Sequence, residues 1–278
     1  MKIAQLIIIS FIFVGCSKNE FDIIISNGTI VDGSGQGSYQ ADIGIVDDRI
    51  VKIGDLSESK SVHIINAENL IVSPGFIDSH THAIRGIFDV PTAESSLLQG
   101  VTTLTDGNDG TSPFPIKEHY QKIENTRISP NWAVFVGQGT IRQEVMGLEN
   151  RDPTASELSK MKLMVKEAME EGALGISTGL FYVPGSFSST REVIELSKVA
   201  SHYGGIYISH MREEAVDVLK SINETINIGI KAKIPVQITH HKIIGKENWG
   251  LSKETLKLVD NAIKDGVQVS IDQYPYTA

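Results

Sequence analysis

The sequence has almost no cysteine, no excess of basic residues and no long apolar run. Cys16 is the only cysteine among 278 residues, which excludes a disulfide framework. Acidic residues outnumber basic ones by 34 to 25, and the resulting net charge of −9 argues against a nucleic-acid partner. The apolar run at residues 3–13 is too short for a transmembrane helix. What is present is 41% hydrophobic residues, enough for one large domain and a smaller companion.

The N-terminus has the pattern of a secretion signal. The chain starts with MK, residues 3–13 are almost entirely apolar, and VGC follows at residues 14–16. Small residues before a single cysteine resemble a bacterial lipoprotein signal, so we expect residues 1–15 to be a signal peptide and Cys16 to carry the lipid anchor. Ser17, in place of aspartate, favours the outer membrane of the cell envelope. The alternatives are an ordinary secretory signal and an uncleaved anchor.

Residues 16–74 are predicted to form a small antiparallel β module, half of a β-sandwich. Three pairs of β-rich segments flank polar turn residues, which is the pattern of β-hairpins. The turns are predicted at residues 27–28, 47–48 and 66–69.

From residue 75 the pattern changes to short apolar strands that alternate with amphipathic helices. Seven strands are predicted, at residues 76–77, 101–105, 132–136, 173–177, 205–209, 235–239 and 267–271. Between them, Thr154 with Glu157 and Ser189 with Glu192 have the spacing of helix-capping boxes. Strands that alternate with helices imply a parallel sheet. Seven of them in this order predict an α/β fold of the TIM-like (β/α) barrel type over residues 75–278.

Histidines fall at the carboxyl ends of several predicted strands, where such barrels place their active sites. His80 and His82 follow the first strand, and alternate residues of a strand share a face. Their imidazoles therefore form a pair suited to a divalent transition metal, usually zinc. His210 ends the fifth strand and His240 the sixth. The histidines without such a position are expected on the surface: His63, His119 and His202.

The adjacent His240 and His241 must point to opposite sides of their strand. We choose His240 as the ligand because it stands after its strand as His210 does, and we expect His241 to be packed or hydrogen-bonded behind it. Lys242 returns to the side of His240, where its charge can hold a substrate carboxylate. The alternative is a solvated loop lysine.

Six stretches together resemble the D-aminoacylase (N-acyl-D-amino-acid deacylase) family of the amidohydrolase superfamily. They are PGFIDSHTH at 74–82, GVTT at 100–103, GNDG at 107–110, EGALGISTGLFY at 171–182, SHMR at 209–212, and THHK at 239–242 with YPY at 274–276. The first stretch resembles the strand-one motif of the superfamily. The combination is specific for the deacylase family and less so for its substrate, and the resemblance runs from about residue 21 to the end.

The resemblance implies roles for individual residues. His210 and His240 match the tightly held zinc ligands of the family, and His80 and His82 match the pair at a second, weaker metal position. Asp109 falls where better-known members have a cysteine, and a carboxylate there would weaken the preference for zinc over other divalent ions. The residues that match substrate-binding positions are Lys242, Tyr274 and Tyr182.

The activity that the resemblance implies is hydrolysis of the amide bond of N-acyl-D-amino acids, small-molecule substrates. One or two Zn²⁺ ions, or another divalent metal, would activate the attacking water. Many related amidohydrolases bridge two metals with a modified lysine on strand four, and this chain has no lysine there. Its absence argues against the alternative of a cyclic-amide hydrolase of the dihydroorotase or hydantoinase kind.

The carboxylate that accepts the water proton in this family lies at the end of strand eight. The chain stops at Ala278, after the seventh predicted strand. We therefore expect a truncated barrel without strand eight, and impaired or absent activity in this chain. Asp272 is set aside as a substitute base because it is predicted at a mid-strand position. A non-catalytic metal- or ligand-binding envelope lipoprotein is the alternative that the missing strand favours.

Overall fold

The computed structural model of the chain describes residues 20–274 and residue 276. The predicted signal peptide and Cys16 lie outside the described residues. The chain divides into two compact units, with the boundary between Pro74 and Gly75. Within the described ranges, no helix combines the length and the apolar character that a membrane span requires.

The strands are, in chain order, β1 Phe21–Ser26, β2 Thr29–Ile30, β3 Tyr39–Gln40, β4 Asp42–Val46, β5 Arg49–Gly54, β6 Ser61–Asn66, β7 Ile71–Val72, β8 Phe76–Asp78, β9 Val101–Asp106, β10 Asn131–Val134, β11 Val136–Gly137, β12 Gly175–Gly179, β13 Ile206–His210, β14 Val236–Ile238 and β15 Val269–Ile271. The α-helices are α1 Glu94–Leu97, α2 Ile116–Thr126, α3 Gln138–Met146, α4 Ala155–Glu170, α5 Thr190–His202, α6 Val218–Ala232 and α7 Ser252–Lys264. Short 3₁₀ helices lie at Ala83–Arg85, Gly185–Phe187 and Lys246–Asn248.

The first unit contains two mixed sheets, ordered β5-β4-β1-β6 and β3-β2-β7. The predicted hairpin at residues 47–48 is confirmed by the antiparallel pair β4–β5. The other two predicted hairpins are wrong, because β6 pairs in parallel with β1 and β7 pairs in parallel with β2. Polar contacts explain the turn at Asn27: its backbone N–H donates to Asp42 Oδ1 and its side chain donates to Asn66 Oδ1. Asn27 is thus hydrogen-bonded to residues of β4 and β6. After this turn the chain continues into β2, which belongs to the second sheet.

The second unit contains seven parallel strand positions that follow one another in sequence order. One sheet is ordered β10-β9-β8 and the other β11-β12-β13-β14-β15, with Phe135 between β10 and β11. Every neighbouring pair is parallel. This arrangement confirms the predicted α/β class. Among the described strands, β8 and β15 are edges and are not paired with each other, so the barrel stays open there.

Amphipathic helices cover one side of these strands. Met161 and Val165 of α4, and Val193 and Leu196 of α5, are fully buried in one core cluster with Ile176 of β12. All five carry 0% exposure, so the inward face of each helix follows the apolar period of its sequence. This core holds the carboxyl ends of β12 and β13 in fixed positions.

The two predicted capping boxes differ in the structure. Thr154 and Glu157 form the complete reciprocal pair at the start of α4, as predicted. Ser189 Oγ accepts from the backbone N–H of Glu192 at 3.4 Å, but the Glu192 side chain does not return to cap α5. It pairs instead with the fully buried guanidinium of Arg142 and accepts from Gln138 Nε2 at 2.7 Å. A buried guanidinium without a counter-charge would cost more free energy than the missing half of a helix cap, so the Glu192 side chain pairs with Arg142.

The Arg142–Glu192 pair predicts a large stability difference between two glutamates of the same helix. Glu192→Ala leaves a buried guanidinium without a counter-charge and is expected to lower the free energy of unfolding by about 3–5 kcal/mol. Glu195 on α5 pairs only with the partly exposed Lys162 and Lys198, so Glu195→Ala is expected to cost about 1 kcal/mol or less. Urea unfolding of both variants measures the difference. Equal losses would contradict the assignment of Arg142–Glu192 as the buried pair that joins α3 to α5.

Candidate metal centre

The predicted ligands lie at the carboxyl ends of the parallel strands and converge on one carboxylate. His80 and His82 follow β8, Asp109 lies in the loop after β9, His210 ends β13, and His240 follows β14. The structure therefore brings together all five residues named from the sequence.

Asp109 lies at the centre of this cluster. Its Oδ1 is 3.6 Å from His80 Nε2, 3.5 Å from His210 Nδ1 and 3.8 Å from His240 Nε2. Its Oδ2 is 3.3 Å from His82 Nε2. The nearest imidazole atoms to each other are His240 Nε2 and His210 Nδ1, at 2.7 Å. Four rings thus direct a nitrogen at the same carboxylate.

Glycines fix the loop that carries Asp109. Asp109 itself has a φ of 55°, and Gly110 follows with a φ of 77°, so the loop turns through the left-handed region. A Cβ at Gly179, the last residue of β12, would lie 2.2 Å from the Asp109 carbonyl oxygen. Ser177 Oγ accepts from the Gly110 backbone N–H at 3.2 Å. Close backbone packing against β12 therefore sets the position of the Asp109 carboxylate.

The donor set fits a divalent cation. Among the described residues Asp109 Oδ1, which is buried, has no hydrogen-bond partner, because the three nitrogens near it stand at 3.5 Å or more. A buried carboxylate oxygen without a partner is costly. Carboxylate oxygen and imidazole nitrogen are ordinary ligands of zinc and of other divalent transition metals. His80, Asp109 and His240 offer ligand atoms that all lie within 4.8 Å of one another.

The electrostatics of the cluster favour positive charge. Burial alone would lower the pKa of His80, but its contacts with Asp109 and Asp272 raise that pKa to about 9. Burial would raise the pKa of Asp109, and the neighbouring His210, His80 and His82 hold it well below its usual range instead. A group of acceptors that stabilises a proton so strongly also suits a metal cation.

Asp272 supports the cluster, and its predicted mid-strand position is wrong. Strand β15 ends at Ile271, so Asp272 lies at the strand end beside the histidines. Its Oδ1 accepts from the His240 backbone N–H at 2.5 Å, and its Oδ2 accepts from Gln237 Nε2 at 2.7 Å. Oδ2 also lies 3.4 Å from His80 Nδ1. Burial would raise the pKa of Asp272, and the contacts with His80, the His240 backbone N–H and Gln237 lower it instead.

Glu214 is a site residue that the sequence interpretation missed. It is buried in the loop after β13, with one carboxylate oxygen 3.0 Å from His240 Nδ1 and the other 2.6 Å from Lys242 Nζ. Burial would raise the pKa of Glu214, and His240 and Lys242 lower it. The only hint in the sequence is its place four residues after His210, which by itself predicts no contact with residue 240.

His240 and His241 point to opposite sides, as predicted. His240 faces Asp109, whereas His241 Nε2 lies 3.0 Å from Thr255 Oγ1 of α7. The predicted surface position of His119 is wrong: the residue is buried, and its Nε2 accepts from Trp132 Nε1 at 3.0 Å. Burial lowers the pKa of His119, consistent with a neutral ring that accepts this hydrogen bond. His63 and His202 are exposed.

The three predicted substrate-binding residues border the cluster. Lys242 Nζ stands 6.0 Å from the centre of the Tyr274 ring. The Tyr182 ring lies 4.6 Å from the His210 ring and is partly exposed. A cavity of about 660 Å³ opens beside His80 and His240, with Tyr274 among its lining residues. Their roles remain a prediction, but their positions suit a small molecule next to the cluster.

Comparisons with known proteins agree with this geometry. The amidohydrolase family matches residues 63–278. D-aminoacylase of Alcaligenes xylosoxydans xylosoxydans is 37% identical over 93% of this chain and 58% of its own length. A crystal structure of N-acyl-D-glutamate deacylase from Bordetella bronchiseptica, complexed with zinc and a phosphonate mimic of the tetrahedral intermediate, has a TM-score of 0.88 and 34% identity. The matched region covers 92% of this chain and 59% of the N-acyl-D-glutamate deacylase chain.

A structure of D-aminoacylase that addresses its binuclear metal centre, with one-metal activation and second-metal attenuation, has a TM-score of 0.84 and 37% identity. The matched region covers 92% of this chain and 59% of the D-aminoacylase chain. The chain therefore spans less than two thirds of the length of the relatives it matches.

The geometry predicts different effects for the two neighbouring histidines. His240→Asn removes a ring that faces Asp109 and is expected to weaken zinc binding by at least about 100-fold, more than the loss of a residue that merely supports a ligand. His241→Asn alters a ring on the α7 side and is expected to leave zinc affinity and stoichiometry unchanged. Zinc titration of the metal-free proteins measures both. Equal loss in the two variants would refute the choice of His240.

Proposed function

Because this chain belongs to the amidohydrolase family, we propose that the protein hydrolyses the amide bond of N-acyl-D-amino acids with the help of a divalent metal, zinc foremost. The observation that carries the proposal is the convergence of four imidazoles on the Asp109 carboxylate, whose buried Oδ1 has no hydrogen-bond partner among the described residues, at the carboxyl ends of the strands. The similarity to D-aminoacylase and to N-acyl-D-glutamate deacylase supports the choice of a linear N-acyl-amino-acid substrate.

The residues that would hold the metal are His80, His82, Asp109, His210 and His240. A divalent ion bound there supplies polarisation of the acyl carbonyl and lowers the pKa of a water molecule. Asp272 orients the cluster rather than reacting, because its two oxygens are engaged by the His240 backbone, Gln237 and His80.

The substrate is proposed to lie in the cavity beside His80 and His240. Lys242 would hold its carboxylate as a point charge, Tyr274 lines the cavity, and Tyr182 would contact the substrate from beside the His210 ring. A linear amide suits this site better than a cyclic one. Strand β12 reads Gly-Ile-Ser-Thr-Gly and offers no lysine that a second metal could share in the manner of cyclic-amide hydrolases.

The activity is proposed for the whole protein and is tested on it with N-acetyl-D-methionine, its L-enantiomer and a cyclic ureide offered side by side; for the 278 residues alone, which span 58% of the length of D-aminoacylase, impaired or absent activity stays the expectation. Acetate is expected to be released from the D-compound alone, and treatment with a chelator is expected to reduce the rate to background until zinc is restored. His210→Ala is expected to lower kcat/KM by about 100-fold or more, since it removes a ligand and not merely a supporting residue. A folded, zinc-loaded protein with no more activity than His210→Ala would leave the non-catalytic binding protein as the better account.

The protein is further proposed to be a lipoprotein of the bacterial cell envelope, anchored in the outer membrane through Cys16. The support is the positive start, the short apolar run and the small residues before a single cysteine.

If Cys16 carries a lipid anchor, replacing it is expected to move the protein out of the membrane fraction of the cell. Wild-type protein is expected in the membrane fraction, with an intact mass that fits a lipidated Cys16 as its first residue. Cys16→Ser is expected to lose the lipid and to leave the outer-membrane fraction, since no acyl chain remains to hold it. Unlipidated wild-type protein would contradict the proposal.

A further inference from the structure

The Glu214 carboxylate contacts both His240 and Lys242, although Glu214 is not among the residues that face Asp109. It is 5% exposed and lies in the loop between β13 and α6. Its backbone carbonyl accepts from the Ile244 N–H at 2.8 Å, which ties this loop to the segment that carries His240 and Lys242. Its two oxygens lie 3.0 Å from His240 Nδ1 and 2.6 Å from Lys242 Nζ.

The two nitrogens of His240 face different partners. Nε2 faces His210 at 2.7 Å and Asp109 at 3.8 Å, and Nδ1 faces Glu214. A neutral imidazole carries its proton on one nitrogen only, and the metal-binding nitrogen must be the unprotonated one. If Nε2 is to bind a metal, the proton must therefore reside on Nδ1, where it needs an acceptor.

Glu214 is the acceptor that this tautomer needs. Lys242 Nζ also lies near Nδ1, at 2.9 Å, but an ammonium group can only donate and would favour the opposite tautomer. Glu214 Oε1 lies 3.0 Å from Nδ1, is buried and has no hydrogen-bond partner among the described residues, so it is available to accept a proton carried on Nδ1. The second oxygen, Oε2, pairs with the Lys242 ammonium at 2.6 Å. Nδ1 thus has two close neighbours, and only the Glu214 carboxylate can accept a proton from it, because the ammonium cannot accept.

We propose that Glu214 is a positioning residue that holds the proton on His240 Nδ1, so that Nε2 is free for the metal, and that it also holds Lys242 in place for the substrate carboxylate. The inference rests on the proposed function and deepens it. It makes metal affinity and substrate affinity depend on the same side chain. Glu214 acts from behind the His240 ring, on the side away from Asp109.

The competing interpretation is that Glu214 is itself a metal ligand. His210, Glu214 and His240 also offer ligand atoms within 4.8 Å of one another. In that arrangement His240 would have to use Nδ1, and its Nε2 would turn a proton towards Asp109 and His210. The unsatisfied Asp109 oxygen favours the arrangement in which the cation lies on the Nε2 side.

The test compares the zinc dissociation constants of the metal-free full chain and three variants, measured by competition with a chromophoric chelator. Glu214→Gln keeps the size of the side chain, but its amide is a weaker acceptor than a carboxylate; zinc binding is expected to weaken by about 10–100-fold. Lys242→Met is expected to leave zinc affinity within about twofold, because no ligand tautomer depends on the ammonium. Glu213→Gln is the matched control, since in the described part of the chain the Glu213 oxygens accept only from the Ala215 and Asp217 backbones, and it is expected to match the wild type.

Kinetics with N-acetyl-D-methionine give the second arm of the test. Glu214→Gln and Lys242→Met are both expected to raise KM, and Glu213→Gln is not. If Glu214→Gln fails to fold, the double variant Glu214→Gln/Lys242→Met removes both charges of the pair and is expected to show the same loss of zinc affinity.

Three results would overturn the inference. The first is wild-type zinc affinity in Glu214→Gln. The second is an equal loss in Lys242→Met, which would make the lysine the decisive contact. The third is a changed absorption spectrum of bound Co²⁺ in Glu214→Gln, which would make Glu214 a ligand. Wild-type protein that binds zinc but hydrolyses no N-acyl amino acid would refute the proposed substrate and leave the zinc comparison intact.

Discussion

The candidate metal centre of the second unit is built around one partly buried carboxylate, Asp109, which faces four imidazole nitrogens. A carboxylate removed from water is costly unless it is hydrogen-bonded or paired with positive charge. At Asp109 the nearby nitrogens stand too far away for hydrogen bonds to Oδ1, and the pKa of His80 rises because positive charge is favoured there. The fold supplies this position by stacking parallel strands whose carboxyl ends meet at one edge, and by packing the glycine loop of Asp109 onto the end of β12.

Two further carboxylates act on the histidines from outside this centre. Asp272 lies beside His80 Nδ1 and accepts from the His240 backbone, while Glu214 lies beside His240 Nδ1. Each leaves an Nε2 atom turned towards Asp109. Such outer acceptors orient a ligand ring and fix its proton, and they contribute to metal affinity almost as directly as the ligands. Glu214 also pairs with Lys242, so the same carboxylate that faces His240 Nδ1 holds the ammonium that is proposed to bind the substrate carboxylate.

The strand order and the grouping of the histidines at one edge of the sheet were predictable because they follow from local patterns. Short apolar strands alternating with amphipathic helices predict a parallel sheet, and His80, His210 and His240 stand at predicted strand ends. The sheet partners in the first unit were not predictable in the same way. Alternation shows which face of a strand is buried, but not that β6 pairs with β1, 40 residues away, through contacts such as that of Asn27 with Asn66.

The supporting residues escaped prediction for a related reason. Glu214 and Asp272 acquire their roles only through contacts between different strand ends, and neither lies in a spacing that distinguishes it from a solvated acid. His119 was assigned to the surface because it lies outside the strand ends, whereas its burial depends on Trp132 of β10. Glu192 has the spacing of a helix cap, but the buried Arg142 takes its side chain.

The most direct test of this account is the position of a bound ion, located by anomalous diffraction at the zinc edge in crystals of the zinc-loaded protein. We expect a peak about 2.0–2.2 Å from an Asp109 oxygen and about 2.0–2.1 Å from the His240 Nε2 atom. A peak on the Nδ1 side of His240 next to Glu214, or none within bonding distance of Asp109, would contradict it.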